Sequence, residues 1–203
     1  MAPVLTIAYF PPIEYFALLA KYSVVYVEAC ENYQKQSYRN RCRIAAADGV
    51  QSLSFPVKHR DGTFCLPIRE IEVDYSTPWV EKTERCIATA YGSSAFFEYY
   101  RDELFAILDS RPRTLWELDL RIIRFFLQKT GLRTELVPTT AYAPEHVDIH
   151  PKRPNAILRE LGLERPYYQV FSEKYGFVPN LSVMDLLFNE GPASLDFILP
   201  VRR

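Results

Sequence analysis

The chain predicts an α/β fold: a mixed sheet with an N-terminal parallel βαβ unit, an antiparallel meander, and a helical C-terminal half. Three observations carry that expectation. Apolar, β-branched runs at 4–10 and 24–28 flank a stretch with helical spacing, the turns Asp48-Gly49 and Asp61-Gly62 punctuate the middle, and helical periodicity dominates from Trp79 onward.

Residues 4–10 read as the first strand, which Pro11-Pro12 stops because proline supplies no ladder donor. Pro12 suits a first helical turn, and Ile13, Phe16, Ala17 and Ala20 recur at helical spacing to residue 22. Val24, Val25, Tyr26 and Val27 follow without a polar break, which predicts a strand buried on both faces. Strand, helix and strand in so short a span imply parallel strands with a right-handed crossover. That topology sets the 10–14 and 28–36 loops side by side at the strands' C-terminal edge. Asp48-Gly49 marks a hairpin between 40–47 and 50–58, and Asp61-Gly62 leads into a third strand over 65–75. Helices follow at 79–91 and up to 108, the latter capped by Ser93 or Ser94, and the Thr114-x-x-Glu117 capping box opens another that Gly131 ends. Residues 134–138 and 168–172 read as short strands and 155–161 as a short helix. Ser182-x-x-Asp185 opens the last helix, through 189.

A chain of 203 residues fits one domain, 1–203, and its 48% hydrophobic and 24% charged residues are those of a globular protein. Lys plus Arg number 24 against 25 Asp plus Glu, so no global field favours nucleic acid or an acidic membrane. The four cysteines form no C-x-x-C pair and the three histidines are scattered, so no metal site is expected. The N-terminus lacks a basic start and the apolar runs fall well short of about 18 residues, so neither a leader nor a membrane span is expected, and the location expected is cytoplasmic. Only seven glycines are present, and no glycine-rich phosphate loop, nucleophile elbow or helical zinc motif occurs. No cofactor is implied.

The most informative stretch is 24–44, where the apolar run ends at Glu28 and opens into Glu31, Lys35, Arg39, Asn40 and Arg41, interleaved with Tyr33 and Tyr38. A strand whose far end is so polar fits the mouth of a crevice, where open α/β sheets bind ligands. Arg39 and Arg41 share a face if the segment is extended, and two guanidiniums there would grip a phosphate or carboxylate. In the tail, Asp185 and Asn189 are i, i+4 on the last helix, positioned to dock beside Glu28.

These stretches together resemble the WbqC-like family of bacterial proteins associated with O-antigen and other surface-polysaccharide biosynthesis. The resemblance rests on Tyr9-Phe10-Pro11-Pro12 with Tyr15-Phe16, on Glu28 and Glu31 with Tyr33 and Lys35, on Arg39-Asn40-Arg41 with Ile44, on Leu53 with Pro56, and on Leu181-Ser182-x-x-Asp185-Leu186-Leu187-Phe188-Asn189-x-Gly191. Where longer members carry a glycine-rich segment, this chain has Asp148-Ile149-His150-Pro151-Lys152, so that segment's role is not carried over. The resemblance implies a polysaccharide-pathway role, with acyl or aminoacyl transfer to an amino sugar as the finer expectation and a sugar or nucleotide sugar as the partner. On that expectation Glu28 or Glu31 is the general base, Lys35, Arg39 and Arg41 hold the donor's anionic group, and Asn40, Gln169 and Asn189 orient the acceptor. Tyr9, Tyr33 and Asp185 complete the expected binding set. A nucleotidyltransferase and a noncatalytic sugar- or protein-binding module are the alternatives; against the first, Pro12-Ile13-Glu14-Tyr15 offers no imidazole for a leaving phosphate.

Overall fold

A computed structural model describes residues 2–59, 65–151, 159–160 and 165–199. Strands β1 (Val4–Thr6), β2 (Val24–Glu28) and β5 (Glu135–Pro138) form a parallel sheet in the order β1-β2-β5, with Thr6 opposite Glu28 and Val27 opposite Pro138. Helix α1 (Ile13–Leu19) joins the first two strands. The expected βαβ unit is therefore present, and its C-terminal edge is where the chain's polar density lies. β2 is not sealed on both sides: Val25 and Val27 are fully buried, whereas Tyr26 on the opposite face is 40% exposed. Successive side chains alternate between faces, and the Tyr26 face of β2 is open at Tyr26 and covered only at its end, where Glu28 is buried.

A separate antiparallel hairpin pairs β3 (Arg41–Ala46) with β4 (Gly49–Ser54). Ala46 lies opposite Gly49, so Ala47 and Asp48 make the turn and Gly49 takes the positive φ of 112°. The third meander strand does not form a ladder. Its segment holds a 3-10 turn at Ile68–Glu70 and isolated bridges that pair Pro67 with Asn32, Glu72 with Thr114 and Val73 with Val57. The expected Asp61-Gly62 turn lies outside the described residues, as do residues 155–158 and 161 of the expected 155–161 helix, of which 159–160 are helical.

The helical half contains α2 (Trp79–Tyr91), α3 (Phe97–Asp109), α4 (Leu115–Thr130), α5 (Ser172–Tyr175), α6 (Val183–Glu190) and α7 (Ser194–Ile198). Thr114 Oγ1 accepts from Glu117 N at 3.2 Å, and Gly131 closes α4 at φ 76°, as the sequence predicts. α3 instead starts at Phe97 without a side-chain cap, because Ser94 Oγ donates to the Tyr91 carbonyl. Residues 168–172 are not a strand. Gln169 meets both backbone groups of Val178 through its side-chain amide, which substitutes for a ladder.

Packing fixes the two halves together. Phe126 of α4 meets the rings of Phe10 and Phe16 edge-on, and Leu115 N donates to the Ile71 carbonyl beside the 3-10 turn. The start of α6 is tied to the first loop, since Val183 N donates to the Pro11 carbonyl and Ile13 N to that of Leu181. α4 thus lies against the chain that leaves β1.

Candidate functional site

Three segments leave the C-terminal edge of the parallel sheet: 7–12 after β1, 29–40 after β2 and 139–148 after β5. The third crosses the edge. It starts at β5, is held over β2 by Glu28, and reaches β1, where Val147 N donates to the Val4 carbonyl at 2.8 Å. The strap carries His146 and Asp148 to residues far away in sequence.

Glu28 is the anchor of this strap. Its carboxylate is fully buried and takes three donors: Cys30 N at 2.7 Å, Thr139 Oγ1 at 3.0 Å and Ala143 N at 2.8 Å. A carboxylate holding three donors and closed from solvent is committed to anchoring the strap, which corrects the general-base expectation for Glu28.

Glu31 sits at the centre of an ion cluster. Arg39 grips it through two bonds, Nε to Oε1 at 2.9 Å and Nη2 to Oε2 at 2.5 Å, and reaches Asp148 Oδ1 at 3.3 Å. Both partners are at most 2% exposed. Burial pushes the Glu31 carboxyl above its usual range, against the opposing pull of Arg39 and His146. Arg39 lies in a turn, not on an extended segment, so it does not share a strand face with Arg41. The expected pair of guanidiniums gripping one anion is corrected accordingly: Arg39 is spent on Glu31, while Arg41 opens β3 half-exposed. Asn40 donates to the Phe55 carbonyl at 2.9 Å and ties the hairpin. Lys35 is exposed on the 29–40 loop.

His146 is the residue that sequence reasoning missed. Its Nδ1 lies 2.6 Å from the Ala143 carbonyl, and a carbonyl only accepts, so Nδ1 carries a proton. Its Nε2 faces Glu31 Oε2 at 3.7 Å, and the Tyr142 ring packs edge-on against the imidazole. No local pattern connects residue 146 to residue 31; the strap does.

A second missed residue is Asp119. It belongs to the same helical face of α4 as Leu115, Ile122 and Phe126, so a carboxylate on an apolar face was the available signal. It is fully buried, and among the described residues neither oxygen has a hydrogen-bond partner. Burial drives its carboxyl well above the usual range. The Asp119 charge in turn helps to raise the hydroxyls of Tyr9, Tyr15 and Tyr33, each pushed up chiefly by burial, Tyr33 to about 12. The Tyr15 hydroxyl is also buried without a hydrogen bond and feels the charge of Glu31 as well, while the Tyr9 hydroxyl faces the Thr83 side chain. Phe10, next to Tyr9, holds a strained φ of 41°, a conformation that costs of order 1–3 kcal/mol and clusters at binding sites.

The predicted tail residues form a centre of their own. Asp185 Oδ2 accepts from Tyr167 Oη at 2.5 Å and from Gln169 Nε2 at 2.9 Å, and Tyr91 faces the same carboxylate from beyond hydrogen-bond distance. Burial pushes the Asp185 carboxyl up to about 6, although those donors oppose it. Asn189 Nδ2 donates to the Asp185 carbonyl at 2.8 Å. Gln169 and Asn189 are therefore occupied inside this network, and the expected docking of Asp185 and Asn189 beside Glu28 is corrected, because Glu28's donors all come from residues 30, 139 and 143. Among the described residues no group of His, Cys, Asp and Glu is arranged to hold a metal ion.

A model of the WbqC-like protein family matches residues 8–165. The chain belongs to the WbqC-like family. The matched span contains Tyr9, Glu28, Glu31, Arg39, Asp119 and His146, and ends before Gln169, Asp185 and Asn189. The chain is also similar to the uncharacterized protein Rv1507c of Mycobacterium tuberculosis, at 27% identity over 221 residues and 94% of each chain. No solved structure gives a significant match. No helix among the described residues is long and apolar enough to cross a membrane.

Proposed function

We propose that this WbqC-like protein is a transferase of surface-polysaccharide biosynthesis, acting on a sugar at the C-terminal edge of its parallel sheet, with acyl or aminoacyl transfer to an amino sugar as the reaction. The family supports the pathway. The placement of His146 carries the chemistry. With Nδ1 bound to the Ala143 carbonyl, Nε2 is the nitrogen available to take a proton from an acceptor hydroxyl or ammonium, and Glu31 at 3.7 Å stabilises the imidazolium that forms. Arg39 fixes Glu31 in place, so the carboxylate first read as a base becomes the orienting charge. Arg41, at the start of β3, and Lys35, exposed on the 29–40 loop, meet the donor's anionic group.

The test is a thermal-shift screen over nucleotide sugars, amino sugars and acyl donors, followed by mass spectrometry of products. A sugar stabilises the wild type, and His146→Ala lowers turnover on the order of 10²–10⁴-fold while retaining binding. Undiminished turnover in His146→Ala removes the base assignment. A second reading, a noncatalytic sugar-binding module, is favoured by the closed state of the Glu31–Arg39 pair. Binding with no turnover across all donors selects it.

A further inference from the structure

We infer that Asp119, with the hydroxyls of Tyr9 and Tyr15, forms an inner subsite that takes the ammonium group of a primary-amine ligand, a proposal that rests on the edge of the parallel sheet being the sugar site. Asp119 is fully buried and neither carboxyl oxygen meets a donor; the Tyr15 hydroxyl is likewise buried without a hydrogen bond, and that of Tyr9 has only the Thr83 side chain facing it from beyond hydrogen-bond distance. Buried polar groups are otherwise paired as a rule, and a carboxyl with both oxygens unmet calls for a partner. What is missing there is positive charge. Arg39 and Arg41 act on Tyr33 rather than on Asp119, whose surroundings contribute only burial, while Tyr9, Tyr15, Tyr33 and Cys42 are the groups that feel its charge. A neutral sugar hydroxyl supplies one donor and no charge; an ammonium supplies three donors and the full counter-charge. With its ammonium held at Asp119, an amino sugar offers a hydroxyl, not its nitrogen, to Nε2 of His146.

The proton balance gives the proposal its own signature. In the empty site the carboxyl holds its proton, since burial without a partner favours the neutral form. An arriving ammonium stabilises the carboxylate, so Asp119 releases one proton to solvent as the ion pair forms, and no bond in the ligand changes. An N-acetylated sugar has no ammonium and triggers no such release.

Isothermal calorimetry in buffers of different ionisation enthalpy separates these cases, using glucosamine, galactosamine and their N-acetyl counterparts as probes on the wild type and on Asp119→Asn. The wild type binds the amines roughly tenfold or more tighter than the N-acetyl sugars, with about one proton released per amine bound. Asp119→Asn, nearly isosteric, remains folded and loses both the preference and the proton release. Asp119→Leu gives a second check, because an orphan carboxyl replaced by an apolar side chain raises Tm by several degrees. Equal binding of both sugar classes without proton release overturns the amine subsite while leaving the edge site standing. Binding of none of the four sugars overturns both.

Discussion

Two buried polar centres differ in how fully they are served. Around Asp185, Tyr167 and Gln169 donate to the carboxylate, Gln169 continues to both backbone groups of Val178, and Asn189 caps back onto the Asp185 carbonyl. Around Asp119, neither carboxyl oxygen has a hydrogen-bond partner among the described residues. The first arrangement ties a loop to a helix and pairs one oxygen of its carboxylate, leaving Asp185 Oδ1, Asn189 Oδ1 and the Tyr91 hydroxyl unmet. The second pairs neither oxygen, a deficit that folding alone does not explain.

Between these extremes lies the Glu31–Arg39 pair, and breaking it has the largest expected effect. Arg39→Ala strands a buried carboxylate and removes the tie to Asp148, and lowers unfolding stability by about 3–5 kcal/mol in urea titration. A loss under 1 kcal/mol would show that the cluster is not closed as described.

Next comes the pH dependence of the Asp185 centre. Burial pushes the Asp185 carboxyl up to about 6, above the ordinary value near 3.8, so the native state binds the proton more tightly than the unfolded chain. Stability therefore falls as pH rises from about 4 to about 6, by on the order of 3 kcal/mol from this group. Glu31, also raised, adds to the slope with the same sign. Asp185→Asn flattens the slope, which pH-dependent thermal melts measure.

Asp119→Leu is the third and has the opposite sign. It raises stability by about 1–3 kcal/mol, since it removes a buried group with no partner, whereas truncating Gln169 to Ala lowers it by a similar amount. If both changes destabilise, the contrast between the two centres fails. The smallest effect is that of Thr139→Val, which removes one of the three donors on Glu28 and costs roughly 1 kcal/mol, loosening the strap.

Much of this fold is legible in the sequence because local signals agree with the tertiary outcome. The Thr114 capping box, Gly131 and the periodicity of 79–91 each specify an element that forms as read. The crossover logic likewise placed the polar 28–41 stretch at the correct edge. Roles were less legible than places. Glu28 and Glu31 look alike in sequence, and only the strap, which brings Thr139 and Ala143 to one and His146 to the other, tells them apart. His146 stayed hidden because its partner, Glu31, is far away in sequence and only the strap brings the two together. Asp119 was visible in principle, as a charge on the apolar stripe of α4. Tyr26 failed differently: a run of β-branched residues states that a strand forms, not how many of its faces are covered.

The central claim is that the ligand edge and the tail network are different kinds of place, and amide and side-chain NMR shifts recorded while titrating the sugar panel test it most directly. Perturbations concentrated at Tyr9, Tyr15, Glu31, Tyr33, Asp119 and His146, with Tyr167, Gln169 and Asp185 unmoved, are the predicted result. Perturbations centred on Asp185 and Gln169, with the edge silent, would contradict it.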